Sequence, residues 1–130
     1  MKVEVQFKGG SLNFESISIE DLESKTEDEL DQFDFGVVGS NKDNHLCTRY
    51  NKYEADLAGL SKDYVIGKNF YVDVAPCTNN FLVYNRFETE AKLDEKLDYV
   101  FTYKLSPTKV KLRLLKSKDI STEYLLVLKK

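Results

Sequence analysis

Alternating apolar and polar residues predict strands in the second half of the chain. The alternation runs without a break through residues 97 to 105, the clearest predicted strand, because such a segment can bury one face. Residues 110 to 114 alternate in the same way, and the apolar residues 124 to 128 make the final strand. Near the start of the chain, residues 3 to 7 allow a further short strand.

A hairpin is predicted in the first half of the chain. Residues 35 to 38 form its first strand, and residues 46 to 50 form the returning strand. The residues between them, 41 to 44, are of the types that favour turns. His45 directly follows this turn, so we expect it to be a surface turn residue.

Short helices are predicted from capping residues. Ser18 and Thr26 each precede an acidic first turn, a pattern that satisfies the free amides at a helix start. Asn51 and Ser61 are suited to cap two further helices, and the first of these carries Glu54. A longer amphipathic helix is predicted over residues 79 to 92, where apolar residues recur at helical spacing.

This order of elements is typical of an α+β domain. Strands, short helices, one longer helix and three more strands fit an antiparallel sheet of five or six strands with helices on one face. At 130 residues the chain is long enough to bury one proper core. Its hydrophobic content of 42% and charged content of 32% are ordinary for a globular protein.

Composition excludes several classes of protein. Two cysteines do not make a secreted disulfide scaffold, and no apolar run approaches the roughly 20 residues that cross a bilayer. The start of the sequence lacks the apolar region of a signal peptide. An acidic chain without a basic stripe is a poor nucleic-acid binder. We therefore expect a cytoplasmic protein that binds neither membranes nor nucleic acid.

The N-terminal part carries most of the negative charge. Residues 1 to 34 contain ten acidic residues and three lysines, whereas the whole chain has a net charge of −3. We divide the chain into an acidic N-terminal cap, residues 1 to 29, and a core, residues 30 to 130. The acidic segment is either solvated or docked on a basic face. A row of basic side chains is predicted on the outer face of the sheet: Lys104, Lys109, Lys111 and Arg113.

Three residues are the strongest candidates for chemistry, and each also has an ordinary structural interpretation. Cys77 follows Pro76 in an apolar segment, where a lone cysteine is commonly a small core residue. Tyr50 can simply end a strand, and Glu54 can be a solvated helix residue. The combination is more specific than any one of them.

The sequence around these residues resembles the photoactive yellow protein family, whose members have the PAS fold. Residues 65 to 78 are similar to the segment that carries the family's pigment, and Tyr50 and Glu54 stand at the positions of its phenol-binding residues. Residues 97 to 110 are similar to its late strands. The resemblance extends from about residue 30 to the C-terminus, whereas the first 25 or so residues match poorly.

The resemblance implies a covalent pigment. Cys77 would hold p-coumaric acid (4-hydroxycinnamic acid) as a thioester, with its backbone N–H donating to the pigment carbonyl. Tyr50 and Glu54 would donate hydrogen bonds to the pigment phenolate, and such charge-assisted bonds can offset the cost of burying that charge. Glu54 must be protonated to donate, which an apolar pocket favours.

Further positions either match the family pattern or depart from it. Phe70, Tyr99 and Phe101 match aromatic residues that border the pigment pocket, although core packing alone also explains them. Three positions differ from the family residue: Ala58 replaces a threonine that bonds the pocket tyrosine, Leu60 replaces a gating arginine, and Leu105 replaces a methionine that assists recovery in the dark. These changes concern colour and kinetics.

Three functions compete at this stage. The first is a blue-light receptor in which Glu54 gives a proton to the pigment and partial unfolding makes the signal. The second is a PAS ligand-sensing or interaction module without pigment. The third, a cysteine-nucleophile enzyme, needs a base, and His45 is the chain's one histidine. We expect a monomeric receptor rather than an enzyme, with a downstream signalling protein as its partner.

Overall fold

The computed structural model describes residues 12 to 102 and 107 to 130 of the chain. These residues contain one antiparallel sheet whose strands lie in the order β2-β1-β5-β4-β3. The strands are β1 (Gly36–Asn41), β2 (Cys47–Tyr50), β3 (Leu93–Phe101), β4 (Thr108–Lys116) and β5 (Thr122–Lys129). The predicted α+β class with an antiparallel sheet is confirmed.

Short helices lie before β1 and between β2 and β3, and four of them begin at the predicted capping residues. The helices are α1 (Ile19–Glu23), α2 (Glu27–Leu30), α3 (Lys52–Ala58), α4 (Lys62–Val65) and α5 (Tyr84–Thr89). A π-helical turn covers Phe70–Val74 and a 3₁₀ turn covers Pro76–Thr78. Ser18 and Thr26 both form capping boxes, and the side chains of Asn51 and Ser61 accept from backbone amides of α3 and α4.

Both faces of the sheet are buried, and alternate residues of β5 show how. Leu125 and Val127 belong to a cluster that the helices and turns after β2 cover. Tyr124 and Leu126 belong to a second cluster on the opposite face, which residues from the N-terminal segment cover. The buried residues of that segment are Phe14, Ile17, Ile19, Leu22 and Leu30. The main helices therefore lie on one face, and the N-terminal segment covers the other.

Arg113 of β4 holds the first part of this segment. Its guanidinium donates to the backbone oxygens of Phe14 at 3.1 Å and Ile17 at 2.6 Å. The same group pairs with both carboxylate oxygens of Asp94 on β3. Arg113 is only 4% exposed, so its bonds to backbone oxygens are shielded from water.

Arg49 of β2 holds the second part of the segment. Its guanidinium donates to the backbone oxygens of Leu22 and Lys25 and pairs with Glu27 at 2.9 Å. The acidic segment, over residues 12 to 30, is thus docked rather than solvated. Its exposed carboxylates add weaker contacts, such as Glu15 with Lys96 at 3.3 Å. The boundary between residues 1–29 and 30–130 stays a prediction, and Lys104 lies outside the described residues.

Two predicted elements differ from the structure. The helix predicted over residues 79 to 92 begins only at Tyr84, because the Asn80 side chain accepts from the amides of Leu82 and Val83 and holds a turn there. Phe81, predicted on the apolar face of that helix, is 73% exposed. Strand β3 begins at Leu93, four residues before its predicted start. The strand predicted at residues 3 to 7 and residues 103 to 106 lie outside the described part of the chain.

Within residues 12 to 102 and 107 to 130, no helix combines the length and the hydrophobicity that crossing a membrane requires.

Candidate functional site

Asn51 fixes the position of the helix that carries Glu54. Its side-chain oxygen accepts from the amide of Glu54 at 3.2 Å and from the amide of Val37 at 2.9 Å. Its side-chain nitrogen donates to the backbone oxygens of Leu30 and Phe35. All four hydrogen-bonding positions of this buried amide are used, so helix α3 is held firmly against strand β1.

Tyr50 and Glu54 are both completely buried. Among the residues that the structure describes, the Tyr50 hydroxyl has no hydrogen-bond partner. Burial raises the pKa of Tyr50 above its ordinary value, so the phenol stays protonated and can donate. A buried donor without an acceptor is uncommon in folded proteins and requires an explanation.

Gly36 provides the space for the Glu54 carboxyl. A Cβ atom at this position would overlap Glu54 Oε1 and would lie 3.3 Å from Glu54 Cβ and Cδ. The carboxyl therefore lies directly against the backbone of strand β1. Sequence reasoning did not identify Gly36, although a glycine inside a predicted strand is a known signal of close approach.

Cys77 lies in the 3₁₀ turn Pro76–Thr78 and is partly exposed. Its side chain packs against the cluster that contains Tyr50 and Phe70. The turn is held at Thr78, whose hydroxyl and amide both donate to the backbone oxygen of Ala75. The thiol is thus placed at the edge of the same core cluster to which Tyr50 contributes.

Cys47 is the other thiol, and its surroundings are different. It is 1% exposed, and its sulfur donates to the backbone oxygen of Arg49 at 3.4 Å. Burial raises the pKa of the Cys47 thiol to about 12. Since the thiolate is the nucleophile, Cys47 is protected from reaction and Cys77 is the accessible thiol.

The three predicted pocket aromatics all belong to the cluster at the site. Phe70 and Phe101 are fully buried, and Tyr99 is half-buried with its ring edge-on to Phe101 at 6.0 Å between centroids. The Tyr99 hydroxyl, however, donates to the backbone oxygen of Cys77. Tyr99 therefore holds the loop that carries the thiol, in addition to its packing role.

The three positions that depart from the family pattern differ in their burial and surroundings. Leu60 is half-buried and packs against the same cluster as Cys77. Ala58 is buried on helix α3, one turn after Glu54. Leu105 lies outside the described residues. That these side chains and the aromatics contact a pigment stays a prediction.

The prediction that His45 is a surface turn residue is wrong. His45 does follow the hairpin turn and has a left-handed φ of 61°, yet it is only 5% exposed. Its Nδ1 lies 2.8 Å from Glu123 and its Nε2 lies 2.7 Å from Glu88. Two carboxylates, from β5 and α5, draw the ring inward. Both ring nitrogens are engaged there, so neither is presented to Cys77 as a base.

The contacts of His45 with Glu123 and Glu88 predict that the stability of the fold depends on pH. Burial disfavours a charged imidazole, but the bonds to Glu123 and Glu88 outweigh it and raise the pKa of His45. The contribution of protonated His45 to the free energy of unfolding is therefore complete below the ordinary histidine pKa of about 6.5. It is lost as the pH rises through the raised pKa of His45 in the folded protein. The pKa of Glu123 is also raised, chiefly by burial, so its ionisation acts in the same direction.

We expect the urea midpoints of the native chain and of His45→Asn to differ most below about pH 6.5 and to approach each other as the pH rises from there into the alkaline range. Asparagine is the suitable replacement because it tolerates a positive φ. A difference between the two proteins that stays constant over this range would show that His45 does not titrate with folding.

Comparisons with known proteins agree with this fold. No protein-family model matches the chain. The structure of a sensory box sensor histidine kinase from Vibrio cholerae shares the fold at a TM-score of 0.59 and 18% identity, covering 98% of each chain. The photoactive yellow protein domain of the sensor histidine kinase Ppr from Rhodospirillum centenum superposes with a TM-score of 0.76 at 29% identity, covering 83% of this chain and 96% of that domain.

Curated sequences give the family. The photoactive yellow protein of Halochromatium salexigens is 34% identical over 110 residues, which are 82% of this chain and 87% of that protein. The photoactive yellow protein of Rhodothalassium salexigens is 36% identical over 89 residues, 66% of this chain and 70% of that protein. With the five-stranded PAS sheet and this identity over most of its length, the chain belongs to the photoactive yellow protein family of sensory photoreceptor domains.

Proposed function

We propose that this chain is a blue-light receptor that carries p-coumaric acid as a thioester on Cys77. The observation that carries the proposal is the buried Tyr50 hydroxyl, which lacks an acceptor among the described residues, in a cluster that also contains Cys77. A phenolate oxygen would supply that acceptor. When bound, the group supplies absorption of visible light and a double bond that light can isomerise.

Attachment requires only a thiol and an activated acyl donor. The Cys77 thiolate attacks the acyl carbon of a p-coumaroyl ester or anhydride, the carbon–sulfur bond forms, and the activating group leaves with its electron pair. The partial exposure of Cys77 supports this choice of thiol, since Cys47 is buried.

Tyr50 and Glu54 have different roles in the proposal. Both donate hydrogen bonds to a phenolate in the dark, and such charge-assisted bonds are the strong ones. After illumination, Glu54 would also pass its proton to the phenolate oxygen and so become a carboxylate at a position that is completely buried. A buried charge of this kind costs several kcal/mol, which is a large part of a total stability of about 5–15 kcal/mol. Local unfolding relieves that cost and exposes a signalling surface.

The partner in this proposal is a downstream signalling protein. The support is the photoactive yellow protein domain of Rhodospirillum centenum, which comes from a sensor histidine kinase. A monomeric state and a cytoplasmic location stay predictions.

An absorption spectrum tests the proposal. The chain, incubated with an activated p-coumaroyl donor and freed of excess donor, should show a visible band that blue light bleaches and that returns in the dark. A protein that takes up the donor but shows no reversible bleaching is not a receptor of this kind. A protein that remains colourless is better described as a pigment-free PAS sensing module.

A further inference from the structure

Asn80 occupies a junction between the thiol-bearing turn, helix α5 and strand β3. Its side-chain nitrogen donates to the backbone oxygen of Cys77 at 3.2 Å and to the Tyr99 hydroxyl at 2.6 Å. Its side-chain oxygen accepts from the amides of Leu82 at 3.0 Å and Val83 at 3.2 Å. The side-chain nitrogen and the side-chain oxygen of Asn80 therefore have two partners each. Because the two backbone N–H groups can only donate, they identify the atom they contact as the oxygen and so fix the orientation of the side-chain amide.

The backbone oxygen of Cys77 receives two hydrogen bonds from this junction. One comes from Asn80 directly and the other from the Tyr99 hydroxyl, which in turn accepts from Asn80. The three groups form a closed ring in which every donor meets an acceptor. Tyr99 itself is anchored in β3, opposite Val110 of β4. The ring thus ties the Cys77 carbonyl to the sheet.

We propose that Asn80 is a positioning residue for the Cys77 thiol, acting both directly and through Tyr99. Two hydrogen bonds on one carbonyl fix the plane of the peptide that follows Cys77, and so limit the direction in which its side chain points. The importance of that direction for a pigment rests on the proposed function. The hydrogen bonds of Asn80 and Tyr99 to the Cys77 carbonyl, which we call the clamp, do not depend on a pigment.

The clamp has a consequence for a protein without any pigment. The Cys77 thiol is half-covered in the closed arrangement. Reaction with a small alkylating agent proceeds faster from locally opened states, and each lost hydrogen bond increases their population. Loss of the Asn80 donors should therefore make the thiol react faster, even where the rest of the fold is unchanged.

Alkylation of Cys77 in pigment-free protein tests the clamp. Iodoacetamide is used at several pH values, and the plateau at high pH is compared, so that differences in thiol ionisation do not enter. Peptide mass mapping follows Cys77 and Cys47 separately. We expect Asn80→Ala to raise the Cys77 plateau rate about fivefold.

Asn80→Asp distinguishes the role of the side-chain nitrogen of Asn80 from that of its side-chain oxygen. Aspartate keeps an acceptor for the amides of Leu82 and Val83 but has no donor for Cys77 or Tyr99. We expect its Cys77 rate to be as fast as that of Asn80→Ala, with an unfolding midpoint near that of the native chain. A native rate in Asn80→Asp would overturn the proposal, because Asn80 would then act only through the turn before α5.

Two matched variants complete the experiment. Tyr99→Phe removes one member of the ring and should also accelerate alkylation, whereas Tyr84→Phe, which loses a hydroxyl bonded to Glu88, should not. In the double variant Asn80→Asp with Tyr99→Phe, the rate should exceed that of either single variant but should be smaller than the product of the two single effects. A rate equal to the product of the two single effects would contradict a shared clamp. None of these results depends on whether pigment binds.

Discussion

Cys77→Ala is expected to remove all visible absorbance from protein incubated with an activated p-coumaroyl donor, whereas Cys47→Ala is expected to keep it. Cys77 is partly exposed in a 3₁₀ turn beside the Tyr50 cluster. Cys47 is buried, and its thiol pKa is raised to about 12, so less than about one part in 10⁴ is thiolate at neutral pH. The difference between the two variants should therefore be close to all or none.

Mass mapping of the loaded native chain provides the direct measurement. The peptide that contains Cys77 should gain the mass of one coumaroyl group, and the peptide that contains Cys47 should remain unmodified. Because Cys47→Ala opens a small cavity in the core, its stability is measured in parallel. A stable adduct on Cys47, or an adduct on neither peptide, would refute the assignment of the attachment site.

Glu54→Gln is expected to abolish the infrared signal of carboxyl deprotonation on illumination and to shift the visible band. Glutamine has nearly the same shape and retains a donor for the phenolate, but it has no proton to transfer. The structure makes this substitution informative because Glu54 is completely buried and lies against the backbone at Gly36. The fold around it should therefore change little.

Glu123→Gln is the matched control for this experiment. Glu123 is also a buried carboxyl group, 1% exposed, but it contacts His45 and Tyr71 rather than Tyr50. Its substitution should leave the light-induced carboxyl signal in place. If the signal survives in Glu54→Gln and disappears in Glu123→Gln, the proton donor is Glu123.

Local sequence signals predicted much of the framework. The caps at Ser18, Thr26, Asn51 and Ser61 each depend on a side chain and an amide within three residues. They can therefore be predicted from the local sequence alone. Apolar alternation predicted β3 and β4, although both begin earlier than the alternating residues indicated. The helix at residues 79 to 92 was predicted too long because hydrophobic spacing does not register the competing side-chain bonds of Asn80.

Long-range contacts explain what the sequence did not show. The burial of His45 depends on Glu123, 78 residues away, and on Glu88, 43 residues away. The ring at the Cys77 carbonyl likewise needs Tyr99, 22 residues away in sequence. Composition and spacing cannot place such partners together. The convergence of Tyr50 with Cys77 was expected from a family resemblance rather than from any local pattern.

The way in which the N-terminal segment is docked has a consequence for ionic strength. Two arginines, Arg49 and Arg113, bind this segment chiefly through its backbone oxygens. The apolar side chains of the segment also pack against the sheet. Added salt screens exposed pairs such as Glu15 with Lys96, over a Debye length of about 8 Å at physiological concentration, but it acts little on buried hydrogen bonds. Salt is therefore a poor means of detaching this acidic segment, in spite of its charge. Agents that weaken apolar contacts are the effective ones.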